Sequence, residues 1–219
     1  MNPAPDGEWT ALVLAGSRGP TDPVASHCGV RHKALAPVAG IPMIIRVLRS
    51  LTDSRHVGRI AICVETPEVL ADLPEIAALA AAGRLVTIPA STSPSASVGA
   101  ALRDLGQPYP LLVTTADHPL LTAAMVDHFC QALAGGGDVA VGVAAASLIR
   151  RDHPGAVRTF YRMGRESYSG CNLFAFRTPR AARAAAFWSD MERHRKRPWR
   201  LIAAIGPLVL LRFALGLFD

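Results

Sequence analysis

Two short stretches carry residues whose types and spacing could do chemistry. In "LAGSRG", Leu14 to Gly19, small residues let backbone N–H groups approach an anion, and Arg18 adds a fixed positive charge with several donors. In "TTADHPLL", Thr114 to Leu121, Asp117 stands at the mouth of an apolar run just before Pro119. A carboxylate there suits a divalent cation bridging phosphates; capping the helix that follows is the alternative. The first stretch is neither GxxxxGK[ST] nor GxGxxG, so by itself it also fits a strand followed by an ordinary turn.

Both stretches need elements to hold them. "TALVLAG", Thr10 to Gly16, is apolar on both faces and reads as a central strand of a parallel sheet. "IPMIIRVLRSLTDS", Ile41 to Ser54, puts Met43, Val47, Leu48 and Leu51 on one helical stripe, with Pro42 in the first turn. "RIAICVE", Arg59 to Glu65, is a second buried strand, "PEVLADLPEIAALAAAG" a helical stretch ending at Gly83, and "RLVTIPA" a third strand. Ser97 takes an N-cap position before "VGAALRDLG", and "PLLVTTAD", Pro110 to Asp117, is the next strand. "TAAMVDHFCQALAGGG" is an amphipathic helix and "DVAVGVAAA" a return to strand. Strands alternating with helices at this spacing predict a three-layer α/β sandwich with a mostly parallel sheet. Ligands of such sheets gather at the carboxyl ends of the strands.

Composition narrows the function classes. The chain has 219 residues, half of them hydrophobic, enough for one substantial core and a single domain over 1–219. Its net charge of +6 suits an anionic ligand, but much of it lies in "RTPRAARAAAFWSDMERHRKRPWR", Arg177 to Arg200. Only Phe187, Trp188 and Trp199 interleave with those arginines, so a solvated helix face is expected there and no nucleic-acid partner. Cys28, Cys63, Cys130 and Cys171 form no CxxC pair, which fits thiols in a reducing cytoplasm better than zinc or disulfides. "MNPAPDGEW" has no basic start and no apolar signal core, and a cytoplasmic location is expected.

Taken in order, "LVLAGSRG", "HKALAPVAGIPMI", "STSPSASVGAAL" and "TTADHPLL" resemble the nucleotidyltransferase superfamily with a GT-A-like, Rossmann-like fold. Molybdenum cofactor guanylyltransferases are among its members. The resemblance implies transfer of NMP from an NTP, CTP or GTP, to a small phosphorylated acceptor with release of pyrophosphate, dependent on Mg²⁺. It places Arg18 against the triphosphate, Lys33 at the α-phosphate and Asp117 on the metal. The backbone of Leu14, Ala15, Gly16 and Ser17 would contact base, ribose and phosphate, with Ser97 near the base or its ribose. Residues 8–121 would form the nucleotide-binding half, and 122–219 an acceptor-side half with an apolar C-terminal helix. His32 and His118 adjoin motif residues and are expected to point away. The chain departs from the family pattern LAGGxGxRM by having Ser17 at the second glycine, and the segment from Arg18 to Lys33 is longer and lacks the Met. A glycosyltransferase of the same fold is an alternative, without its usual Asp-x-Asp motif; a catalytically degenerate nucleotide-binding module is another.

"ESYSGCNLFAFRTP", Glu166 to Pro179, reads as a strand whose entrance carries Ser169, Gly170 and Asn172. By resemblance Asn172 lines the acceptor pocket or helps hold the metal, with Tyr168 and Arg165 near the acceptor. "LIAAIGPLVLLRFALGLF", Leu201 to Phe218, is long and apolar after the basic "RHRKRPWR". Arg212 near its middle would cost about 3 kcal/mol on insertion, so a buried or surface-docked helix is expected, with peripheral membrane contact as the alternative.

Overall fold

Segments rich in Val, Ile and Leu without alternation can bury both faces, and here they form the middle of one sheet. The computed structural model describes residues 8–17, 19, 21–106, 108–133 and 136–194. The strands are β1 (Trp9–Leu14), β2 (Pro37–Val38), β3 (Ile41–Pro42), β4 (Val57–Val64), β5 (Leu85–Pro89), β6 (Leu111–Thr115), β7 (Val139–Ala145), β8 (Tyr161–Met163) and β9 (Glu166–Phe176). The helices are α1 (Pro23–Cys28), α2 (Met43–Thr52), α3 (Pro74–Ala81), α4 (Pro94–Asp104), α5 (Ala123–Ala132), α6 (Ala146–Asp152) and α7 (Ala182–His194).

The large sheet runs β5-β4-β1-β6-β9-β7, with β8 also paired to β9. Its first four strands are mutually parallel, whereas β9 is antiparallel to β6, β7 and β8. The expected three-layer, mostly parallel arrangement is therefore observed. Residues alternate between two cores: Ala11, Val13, Ile62 and Leu112 face Ile44, Leu48 and Val126 of α2 and α5. Leu12, Ala61, Leu111 and Val113 face Val98, Ala101 and Ala185 of α4 and α7. From β1 the chain first builds β4 and β5 on one side and then crosses to β6 on the other. That reversal sets the carboxyl ends of β1 and β6 side by side, and a crevice opens there, with α2 and α5 on one face of the sheet and α4 on the other.

Several local details differ from the sequence reading. Helix α2 starts at Met43, because Ile41 and Pro42 pair with Pro37 and Val38 around a turn at Ala39 (φ 49°) and Gly40 (φ 77°). Pro42 is thus the N-cap and not part of the first turn. Pro74 divides the stretch before Gly83 into a 3-10 turn, Pro67–Leu70, and α3. Ser93, not Ser97, caps α4: its Oγ accepts from the Ala96 N–H at 3.2 Å, with Pro94 in the first turn. Ser97 lies inside that helix, buried, and its Oγ accepts from the Ser91 N–H at 2.9 Å.

Asn172 is not at a strand entrance. It lies well inside β9, where Val141 pairs with Phe174 and Val143 with Gly170, leaving Cys171, Asn172 and Leu173 opposite Gly142 alone. This is a bulge, and Asn172 takes φ 51° to make it. A side chain at Gly142 would crowd its neighbour, since a Cβ there would stand 3.0 Å from that of Leu173. The apolar stretch Leu201 to Phe218 and its expected helix lie outside the described residues; among the described residues no helix is long and apolar enough to cross a membrane.

Candidate active site

Lys33 reaches the crevice through a chain of local decisions that begin after β1. Asp22 caps α1 by accepting from the Val24 and Ala25 N–H groups, and Gly29, at φ 65°, ends the helix. The chain then returns to the sheet, where His32 starts a 3-10 turn, Lys33–Leu35. The His32 Nδ1 accepts from the Ala34 N–H at 3.1 Å, which leaves Nε2 to carry the proton of the neutral ring. Nε2 stands 3.3 Å from Glu65 Oε1, in contact but outside hydrogen-bond geometry. Both Glu65 carboxylate oxygens accept from the Ser17 N–H, at 3.0 and 3.3 Å. His32 therefore does not point away from the site. It is buried beneath the turn, and with Glu65 it joins the Lys33 turn to the Gly16-Ser17 loop.

The Lys33 ammonium donates to Asp117 Oδ2 at 2.8 Å across 84 positions of sequence. Asp117 follows β6, the strand beside β1, and the Ala116 N–H to Leu14 C=O bond (2.9 Å) extends the ladder past the strand ends. Burial pushes the Asp117 carboxyl up, but the Lys33 hydrogen bond, a weaker influence of the Thr115 hydroxyl and the Lys33 charge together hold it below the ordinary aspartate value. Thr115 acts through proximity, since its Oγ1 is buried and has no partner in hydrogen-bond geometry among the described residues.

A cleft of about 590 Å³ opens over this pair. Leu14, Gly16, Ser17, Lys33, Ser97, Asp117 and Asn172 line it, together with Ser91, Thr92 and Ser93 after β5, and Asp22, Cys63, Thr115 and Glu192. Glu192 is held there by Ser95 at the start of α4, whose Oγ and N–H both donate to its Oε2. Ala15 is buried behind the cleft with its N–H given to Cys63 C=O at 2.8 Å. Arg18 lies outside the described residues.

A second cleft of about 650 Å³ adjoins the first, and Asp117 and Asn172 border both. The β9 bulge is what brings Asn172 to this junction: the β6–β9 ladder ends at Val113 and Phe174, and beyond it the two strands separate. His118 faces the second cleft. Burial, reinforced by Arg158 and partly opposed by Asp117, lowers its pKa below the ordinary imidazole value, so the ring is neutral at pH 7. Tyr168 and Arg165, expected near an acceptor, line neither cleft.

Buried polar atoms normally find partners, and those that do not mark where something else binds. Ser17 Oγ, Thr115 Oγ1 and His118 Nδ1 are buried without a hydrogen-bond partner among the described residues, and all three border these clefts. Asp117, Thr115 and Asn172 together offer a hard, all-oxygen donor set. A set of that kind could hold Mg²⁺, which takes one or two carboxylates and completes its shell with water and substrate phosphates; no group of three or more His, Cys, Asp or Glu suited to a metal occurs among the described residues.

Glu65, Thr115, Glu192 and Arg158 are not picked out by the sequence, and His32 is noted there only to be turned away from the site. Glu65 had a signal: it immediately follows β4, an acid at the carboxyl end of a parallel strand. The others depend on contacts between distant segments.

Residues 11–196 match the MobA-like NTP transferase domain family. A comparison with curated proteins finds no match. Among solved structures, the chain is similar to a hypothetical transferase from Thermus thermophilus, with TM-score 0.75 and 25% identity over 97% of this chain and 84% of that one. It is also similar to a CMP:2-keto-3-deoxy-manno-octonic acid synthetase complexed with CTP, with TM-score 0.59 and 14% identity over 90% of this chain and 85% of that one. A third likeness is to 4-diphosphocytidyl-2C-methyl-D-erythritol synthase from Anaerococcus prevotii, with TM-score 0.57 and 13% identity over 84% and 77%. At such identities the last two show a shared fold.

Proposed function

Since the chain belongs to the MobA-like NTP transferase domain family, whose general chemistry is nucleotidyl transfer, we propose that it moves NMP from CTP or GTP to a small phosphorylated acceptor. In this reaction an acceptor phosphate oxygen attacks the α-phosphorus, a new P–O bond forms, and the bond from the α-phosphorus to the bridging oxygen breaks. Pyrophosphate leaves with the bond's electron pair. Little covalent work falls to the protein, so orientation and charge balance carry the rate.

The observation that carries this reading is the Lys33–Asp117 pair, 2.8 Å apart at the carboxyl ends of β1 and β6, in one cleft with Gly16, Ser17 and Ser97. Lys33 gives its ammonium to the α-phosphate as negative charge builds there. Ser17 meets the nucleotide through its unpartnered hydroxyl, because its N–H is already given to Glu65. Ser97 and the polar loop Ser91 to Ser93 border the base and ribose, while a triphosphate role for Arg18 rests on the sequence resemblance alone. Asp117, with Thr115 and Asn172 beside it, would hold Mg²⁺, which when bound neutralises phosphate charge and orients the triphosphate. Asn172, at the junction of the two clefts, meets the acceptor as well.

The test is pyrophosphate release from each of the four NTPs with Mg²⁺ and a panel of phosphomonoesters. Release with CTP or GTP, dependent on the acceptor, is expected. Turnover of a nucleotide-sugar with no pyrophosphate formed would favour a glycosyltransferase, and binding of NTP with no turnover at all a degenerate module.

A further inference from the structure

The second cleft has a composition that a sugar phosphate would not need. Sugar hydroxyls call for convergent hydrogen-bonding side chains, yet the wall away from the junction is mostly Pro119, Leu120, Met125, Ala144, Ile149 and Ala156, with His153 beside them. Its rim is also apolar: Leu120 is 66% exposed and Met125 51% exposed, and large hydrophobic side chains left in water beside a cleft mark a surface that a ligand covers. No Phe, Tyr or Trp lines it, so a flat aromatic body would find no such ring to stack on.

Apart from His153, the charged and polar side chains of the lining group with Asp117, the partner of Lys33. There Asp117 and Asn172 border both clefts, His118 leaves a buried Nδ1 without a partner among the described residues, and Arg158 adds a guanidinium. Arg158 is oriented by a hydrogen bond from Nη2 to the Gly170 C=O at 3.0 Å, on the strand that carries Asn172. Its remaining donors suit an anionic head. One end for an anion and one wall for hydrocarbon describe an amphiphile.

We infer that this second cleft binds the acceptor as a phosphomonoester of an aliphatic alcohol, its head between Arg158, His118 and Asn172 and its hydrocarbon along Leu120, Met125 and Ile149. The inference rests on the nucleotidyl-transfer reading for the role of the bound molecule, and the cleft's preference for hydrocarbon is separable from it.

Three probes share one head group: decyl phosphate kept below its micelle concentration, 1-naphthyl phosphate and glucose 1-phosphate. Binding is measured by calorimetry with and without NTP, and pyrophosphate release is followed in parallel. Decyl phosphate is expected to bind at least tenfold more tightly than the other two. Met125→Asp, on an exposed position where folding is spared, is expected to remove most of that preference while leaving NTP binding unchanged. Arg158→Ala should weaken all three probes about equally. Equal or weaker binding of decyl phosphate, no binding of any probe, or a preference untouched by Met125→Asp would overturn the inference. Release of pyrophosphate with glucose 1-phosphate alone would overturn it and leave nucleotidyl transfer standing. Tight decyl phosphate binding without pyrophosphate release under any NTP would leave the cleft's preference intact and count against the transfer reaction.

Discussion

At the scale of the residue, the molecule sets Lys33 and Asp117 in a partly exposed ion pair, and pairs of that kind contribute only about 0–1 kcal/mol to folding. An ammonium and a carboxylate with so little structural work are free to serve a charged ligand. Lys33→Ala should therefore lower turnover by about a hundredfold or more, as expected for loss of a group that stabilises transition-state charge, while stability changes by about 1 kcal/mol at most. Steady-state kinetics beside a denaturant titration checks both parts; full activity in the variant removes Lys33 from the mechanism. Asn172 allows a cleaner separation. Its φ of 51° is open to glycine and hostile to β-branched residues. Asn172→Gly should fold with stability within about 0.5 kcal/mol of wild type yet lose activity, whereas Asn172→Val should lose about 1–2 kcal/mol as well. Equal activity of wild type and Asn172→Gly would show that the amide is there only for the backbone.

At the scale of the element, the site depends on how α2 and α5 are fastened beneath it. Asp127 on α5 accepts from Ser54 Oγ at 2.6 Å and from the Arg55 N–H and Nε, each at 3.2 Å, which fixes the end of α2 against α5. The Ser54 hydrogen bond, with help from Arg55 and against a smaller push from burial, holds the Asp127 carboxyl below its ordinary value. A group depressed in the folded state stabilises it at pH above the unfolded pKa, and that stability is lost as pH falls through the folded value. Asp127→Asn is thus expected to cost about 1–2 kcal/mol, a gap that stays flat above about pH 5 and narrows below about pH 4. Urea titrations of both proteins across that range would show it; a gap that widened in acid would contradict the assignment.

At the scale of the whole molecule, the ends of β1, β4, β5 and β6, the β9 bulge and the starts of α1 and α4 meet around one cleft, and a ligand seated there binds the folded chain alone. Saturating NTP at about 100 times its Kd should then raise unfolding free energy by about 2.7 kcal/mol, read as an upward thermal shift, with CTP or GTP giving the largest effect. No shift with any NTP, with and without Mg²⁺, would argue that the crevice is not a nucleotide site.

Much of this was legible along the chain, because it rests on local chemistry. A parallel central strand must be apolar on both faces, so β1, β4, β5 and β6 could be located from pattern, and with them the loops at their carboxyl ends that carry Gly16, Ser17, Lys33 and Asp117. A small error comes at α4, where Ser97 reads as the cap although Pro94 starts the helix and Ser93 caps it. What the sequence by itself determined was the order of elements and the kind of chemistry their ends could do. Tertiary structure alone decided that Lys33 and Asp117 touch, that His32 and Glu65 lie beneath the same loop, and that a bulge aims Asn172 at the junction of two clefts. Those facts depend on which strands become neighbours and on the register in which β9 pairs with β7, and neither is encoded in any one segment.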